Sequence, residues 1–198
     1  MFGKGSVSDF ADLQEKGRRG ARGNQKLLMG PFGHGSLSGD LEYDDGGLMQ
    51  RISDDLRWFD YWLKGEENGI MDEPPVTYYM MASAREGAMS EKNGYRHAES
   101  WPPKAKTTRY FLQPDLGLGT TAPAGSNEPH VYQFDPKNPV PTFGGSNLIG
   151  EKGPMDQRAV GERKDYLRFQ TPPLETDVAI AGPVTMELYA ATDGRDTE

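Results

Sequence analysis

The feature that most narrows the folds open to this chain is a change of texture at Pro74-Pro75. Before it, Leu48, Ile52, Leu56, Phe59 and Leu63 recur at helical spacing, which predicts a helix over 48–64 with that stripe facing a core and Gly65 as its stop. After it, short β-rich runs at 76–81, 107–112, 130–134, 165–169 and 184–189 alternate with turn clusters. Connectors such as Trp101-Pro102-Pro103 and Thr171-Pro172-Pro173 separate the runs. The last run alternates residue by residue, Val184, Met186 and Leu188 against Thr185, Glu187 and Tyr189. This is the pattern of an all-β sandwich or jelly roll. No internal repeat of fixed period accompanies it. The expected division is therefore 1–73, α/β in character, and 74–198, all-β.

Within the first part, Ser6 to Asp9 reads as a helix start with Ser6 as cap, and Val7, Phe10 and Ala11 follow at helical spacing before Gly17 stops the helix. The basic stretch Lys16-Gly17-Arg18-Arg19-Gly20-Ala21-Arg22 reads as a helix C-terminus and a solvated loop. Residues 25–29 form a short apolar run without polar alternation, as expected of a strand covered on both faces. An acidic, glycine-rich loop fills 36–47, and the helix after it carries Trp58 and Trp62 one turn apart, placed to pack on the second domain. Helix, strand, long loop, helix is a slice of α/β architecture whose sheet is too small to stand alone.

Charge and composition exclude several functions. The net charge is −8, and the one basic stretch is too short to neutralise a phosphate backbone, so nucleic acid is not an expected partner. Without cysteine the chain has no thiolate nucleophile, disulfide or thiolate-held metal. No stretch approaches the ~20 apolar residues of a membrane-spanning helix, and Met1-Phe2-Gly3-Lys4-Gly5 has no signal-peptide pattern. With apolar residues at 35% and many glycines (25) and prolines (15), short elements joined by turns are favoured over a helical bundle.

The chemistry centres on Lys26-Leu27-Leu28-Met29-Gly30-Pro31-Phe32-Gly33-His34-Gly35, an apolar run that breaks at Gly-Pro and then presents a histidine among three glycines. A histidine just past the C-terminal end of a buried strand lies where open α/β sheets place their active sites. Neutral imidazole there can take a proton from a serine hydroxyl and return it to a leaving group. The same string fits a loop histidine with no role, and spacing alone leaves both readings open. His97 and His130 read as surface or packing residues, and no two histidines lie close enough for a local zinc motif. The acidic run 40–46 has its glycine one residue late for a calcium loop and Arg51 where the bidentate glutamate belongs, so it reads as a solvated loop beside the site. Neither Gly144-Gly145-Ser146-Asn147-Leu148 nor Gly33-His34-Gly35-Ser36 completes a G-x-S-x-G elbow, and no phosphate- or dinucleotide-binding glycine pattern is present.

Taken together, Gly30-Pro31-Phe32-Gly33-His34-Gly35 resembles the G-P-W-x-H-G histidine motif of the cocaine-esterase-like (CocE/NonD) hydrolases and X-Pro dipeptidyl-peptidases, with Phe32 in place of tryptophan. Arg57 to Gly65, Pro74-Pro75-Val76-Thr77-Tyr78-Tyr79-Met80, Trp101-Pro102-Pro103, Tyr132-Gln133-Phe134-Asp135-Pro136, Pro139-Val140-Pro141-Thr142 and Asp156-Gln157-Arg158 continue the resemblance in order. It implies the C-terminal slice of an α/β-hydrolase sheet at 1–73, followed by an incomplete jelly-roll β-sandwich at 74–198. It also implies a serine acyl hydrolase acting on a small-molecule ester, an amide or a short peptide, including X-Pro peptides. His34 then matches the histidine of a Ser-Asp-His triad, with no cofactor and no metal. The acid and the nucleophile would fall upstream of Met1. On that comparison the chain is a fragment truncated at both ends, inactive and marginally folded by itself, with localisation and self-association of the full-length protein left open. A β-sandwich binding module using exposed aromatics such as Tyr78 or Tyr95, or an inactive remnant, is the alternative.

Overall fold

The computed structural model describes residues 3–31, 39–41, 47–82, 92–125 and 128–194. They form two compact units, one of Met1–Lys104 with Gly144–Asp156 and the other of Ala105–Phe143 with Gln157–Glu198.

In the first unit, helix α1 spans Gly3–Lys16. It starts upstream of the expected cap, so Ser6 lies inside the helix and does not cap it. First-turn N–H groups need no helical acceptor, and a glycine there weakens the helix by about 1 kcal/mol without ending it. The stop is where the sequence places it: the Gly17 N–H donates to the Leu13 carbonyl at 3.1 Å, and a Cβ at 17 would strike that oxygen. The basic loop then folds back on α1, with the Gly23 N–H on the Gln14 carbonyl (3.1 Å) and the Gln25 N–H on Gln14 Oε1 (2.9 Å). Arg18 and Arg19 stay exposed, as a solvated loop requires.

Strand β1 (Leu27–Met29) pairs in parallel with β2 (Val76–Met80), Leu27 opposite Val76 and Met29 opposite Tyr78. Strand β3 (Gly94–Ala98) lies antiparallel on the other side of β2, giving the order β1-β2-β3. Between β1 and β2 the chain runs through helix α2 (Gly47–Phe59), its π-helical extension Asp60–Lys64 and a 3-10 turn at Ile70–Asp72. Residues 27–80 are therefore a βαβ unit, which parallel neighbours require. The texture change at Pro74-Pro75 falls just before β2, between two strands of one sheet.

The helix expected over 48–64 is present, and Gly65 ends it in the left-handed conformation (φ 75°, ψ 24°) favoured by glycine. Its burial differs from expectation. Ile52, Leu56, Phe59 and Leu63 are exposed, Leu63 by 78%, so the periodic stripe faces no core among the described residues. Leu48's side chain lies outside the described residues. Trp58 and Trp62 contact each other at a tilt, ring centroids 5.7 Å apart, and Tyr61 meets Trp62 edge-on at 5.2 Å. β1 is also less covered than its apolar run suggests, since Leu28 is exposed.

Burial concentrates at Phe10 of α1, Ile70 of the 3-10 turn and Val76 of β2, the last wholly inaccessible. Burying one such side chain contributes about 1.5–3 kcal/mol. Arg57 ties α2 to the turn before β2: it pairs with Glu73 (2.5 Å) and Asp54 (3.3 Å) and donates to the Asn68 carbonyl (3.3 Å). Asn68 answers by donating to the Arg57 carbonyl at 2.7 Å and accepting the Ile70 N–H at 3.2 Å.

The second unit contains a ribbon of β4 (Phe111–Leu112) and β5 (Leu118–Gly119), Leu112 opposite Leu118. Its turn holds Leu116 at φ 65°, and the Leu118 N–H bonds the Gln170 carbonyl at 2.8 Å while the Gln170 N–H returns to Leu116 at 3.1 Å. The described residues hold two α-helices and five short strands, more strands than helices, as the expected β-sandwich part requires. The individual runs are a different matter. The run at 107–112 is a strand only at its end, and 130–134, 165–169 and 184–189 are not paired strands. Val131, Val184, Met186 and Tyr189 accordingly stay largely exposed. Alternation states which face a strand would bury, but a ladder also needs a neighbour to bond.

Candidate functional site

His34, the candidate catalytic residue, lies outside the described residues, which stop at Pro31 and resume at Gly39. β1 ends at Met29, so Gly30 and Pro31 leave the C-terminal end of a parallel strand, and the chain returns at Gly39 and Asp40.

That return is held by a hairpin from far along the chain. Gly145 and Gly153 exchange N–H···O bonds of 2.8 Å, and the Asn147 amide donates to the carbonyls of Gly144 (2.8 Å) and Glu151 (3.0 Å). The Asp40 N–H donates to the Pro154 carbonyl at 2.8 Å, and Asp40 Oδ2 accepts the Asp156 N–H at 2.6 Å. Gly39, Asp40, Gly150, Glu151, Lys152 and Met155 line an open cleft of about 210 Å³ at this junction. Asp40 is thus a structural acceptor and not only part of a solvated loop; the rest of the acidic run, 42–46, lies outside the described residues. The hairpin also explains Gly144-Gly145, whose positive φ values (65° and 84°) make the pair turn chemistry around Ser146 and not a nucleophile elbow.

The remaining histidines behave as packing or surface residues. His97, exposed on β3, faces its cross-strand partner Thr77 with Nδ1 and Oγ1 3.0 Å apart. The His130 ring meets Phe169 edge-on at 5.5 Å. Among the described residues, no group of three or more His, Cys, Asp or Glu side chains converges as a metal site would, and no helix is long and apolar enough to cross a membrane.

A second polar cluster lies in the other unit. An open cleft of about 330 Å³ is lined by Gln133, Asn138, Arg163, Lys164 and Asp165. Arg163 faces inward on it but is already engaged: Nε donates to Asp165 Oδ1 (2.7 Å), Nη2 to Asp165 Oδ2 and to the Asn138 carbonyl (2.6 Å), and Nη1 to Asn138 Oδ1 (3.3 Å). The guanidinium hydrogen bonds hold the Asp165 carboxyl below its ordinary range and raise Arg163. A guanidinium so committed works as a latch between 138 and 163–165, with little capacity for an anion. In the first unit, burial pushes the Lys26 ammonium down despite Glu73 and Asp72, and it donates to the Glu73 carbonyl beside the Arg57 cluster.

Sequence reasoning passed over Asp40 and the hairpin it holds. Their one sequence signal was Asp156, inside the Asp156-Gln157-Arg158 string, and nothing there names Asp40 as the partner.

Residues 68–198 match the family model of the X-Pro dipeptidyl-peptidase C-terminal non-catalytic domain. The chain belongs to that family. Among curated proteins it is 27% identical over 190 residues to the cocaine esterase of Rhodococcus sp. (strain MB1 Bresler), covering 87% of this chain and 32% of that protein. It is 28% identical over 178 residues to a provisionally named serine esterase of Mycobacterium bovis, covering 86% of this chain and 26% of that protein. The chain thus spans about a third or less of the relatives it matches. No solved structure gives a significant match. The relatives agree with membership of a hydrolase family resembling the cocaine-esterase-like and X-Pro dipeptidyl-peptidase proteins. His34 precedes the span that the non-catalytic family model covers.

Proposed function

We propose that this chain is part of a serine acyl hydrolase, with His34 as general base and then general acid. The observation that supports the reading is the parallel pairing of β1 with β2, since in sequence the His34 motif follows the end of β1. Sites of open α/β sheets gather there. The esterase names of the relatives supply the reaction class.

On this reading, 1–73 belongs to an α/β-hydrolase domain and 74–198 to a jelly roll, with β1 pairing across that division to β2. The imidazole accepts the serine Oγ proton as that oxygen attacks an ester or amide carbonyl. It then protonates the leaving alcohol or amine, and an acyl-enzyme links the two halves. The reaction also needs a nucleophilic serine and an acid that orients the ring, and no motif in these residues identifies either. Substrates are small esters, amides or short peptides, X-Pro peptides among them. The test is p-nitrophenyl acetate hydrolysis by the complete gene product: His34→Ala lowers turnover by at least about a thousandfold, and wild-type turnover in that variant sinks the assignment.

The non-catalytic description of the matched family favours a second reading, a β-sandwich binding module or an inactive remnant. A wild-type complete product that hydrolyses no ester or peptide yet binds glycans on an array would replace the first reading with this one.

A further inference from the structure

The cleft of the second unit is lined by five polar side chains, Gln133, Asn138, Arg163, Lys164 and Asp165. Three of them are fixed before any ligand arrives. Arg163 and Asp165, 21% and 19% exposed, are joined by paired guanidinium–carboxylate bonds. Arg163 also holds Asn138 by its main-chain carbonyl (2.6 Å) and its side-chain oxygen (3.3 Å). Beside this frame stand groups with no protein partner. Among the described residues, the Gln133 amide and the Lys164 ammonium make no hydrogen bond or ion pair, and the Asn138 Nδ2 group donates to nothing. All three residues are exposed, so these groups meet water that a ligand of matching chemistry can displace. Asp165 also keeps acceptor capacity, since a carboxylate offers about four lone-pair sites and the guanidinium takes one on each oxygen.

We propose that this cleft binds a neutral polyhydroxylated ligand, a sugar unit that is either free or part of a glycan chain. A hydroxyl both donates and accepts, and the cleft offers donors at Asn138, Lys164 and Gln133 beside acceptors at Gln133 and Asp165. An apolar ligand would strip water from five polar side chains and return no hydrogen bond. An anion would meet a guanidinium already neutralised by Asp165, with the Asp135 carboxylate also acting on it. A cation would meet Lys164 and a carboxylate already paired. A neutral ligand escapes both penalties, and the frame held by Arg163 lowers the cost of ordering the site around it. The volume of about 330 Å³ lies at the small end of ligand sites, which run to roughly 300–1,000 Å³. The inference rests on neither reading of His34, because all five residues lie in the span of the non-catalytic family and a hydrolase or a binding module could carry them.

Saturation-transfer NMR on the complete gene product tests this, with glucose, galactose, mannose, maltose and lactose as probes and acetate as the anionic control. At least one sugar receives saturation from the protein, and acetate does not. Equal affinity for a monosaccharide and its disaccharide supports the site and assigns it a free sugar. A gain of about tenfold for the disaccharide supports it and assigns a chain. Gln133→Ala and Asn138→Asp each weaken the binding at least about fivefold. Asn138→Asp keeps the oxygen that Arg163 engages and removes only the Nδ2 donor. Gln133→Ala leaves the unfolding midpoint within about 2 °C of wild type, because its side chain bonds nothing in the protein, so its loss of binding is not a loss of fold. No saturation of any sugar at about 20 mM, or saturation unchanged in both variants, overturns the site. Acetate that binds in place of sugar and is lost in Lys164→Ala overturns it as well, making the cleft an anion site.

Discussion

β2 and the run at 184–189 begin alike, Val76-Thr77-Tyr78 in one and Val184-Thr185-Met186 in the other. In β2 the valine is wholly buried between a parallel and an antiparallel neighbour. In the second run the valine is 80% exposed and the backbone lies in no ladder. The difference lies in company and not in composition. β-propensity describes how well a side chain fits a half-buried pleated surface, and without a second strand there is no such surface to fit.

The sharpest way to break this comparison is to make one substitution in both places. Val76→Thr puts a hydroxyl where no water reaches and should destabilise the first unit by about 2 kcal/mol, read by urea denaturation. A loss as small as that of an exposed site would mean that β2 is not the centre of its unit. The next effect belongs to the Arg57 cluster that leads into β2. Arg57→Ala removes a partly exposed ion pair together with the hydrogen bond to the Asn68 carbonyl, and should cost about 1 kcal/mol. An unchanged midpoint would show that the turn before β2 holds without it.

A smaller effect tests the second unit, where the Arg163 latch stands in for strand pairing. The Asp165 carboxyl is depressed in the folded chain, chiefly by the Arg163 hydrogen bond, so the latch contributes fully above the ordinary aspartate range. It is lost only as pH falls through the depressed folded value. An acid titration followed by the Arg163 Nε–H resonance should therefore move below the usual carboxylate range, and movement within that range would deny the pairing. Smallest of all, Val184→Thr should change stability by no more than about 0.5 kcal/mol. A loss matching that of Val76→Thr would place 184–189 in a buried ladder and erase the contrast.

Local signals were legible and distant ones were not. The stops at Gly17 and Gly65 and the strand at β2 follow from neighbours in sequence, and the structure has them where spacing places them. The stripe Ile52, Leu56, Phe59 and Leu63 has the right period, but period says nothing of what covers it. Asp40 and Asp156 stand 116 positions apart, and no local pattern announces a carboxylate accepting a backbone N–H from so far away. The same distance hid the meaning of Gly144-Gly145, read first as a broken nucleophile elbow and resolved as turn chemistry in the hairpin that holds Asp40. The strand that leads toward the His34 motif was readable, while the tie between Asp40 and the distant hairpin was not.

The pairing of β1 with β2 across Pro74-Pro75 bears on how such proteins can be rearranged over time. A gene joined at that proline pair would give β2 a foreign parallel neighbour in place of β1, and Leu27 and Val76 would have to be matched anew. A junction near Lys104, where the compact units divide, spares the three strands but still parts residues 39–40 from their hairpin. Neither point offers a clean seam. Descendants that exchange one portion must therefore inherit the other or re-evolve its fit, so the two portions should travel together through lineages as a single hereditary unit.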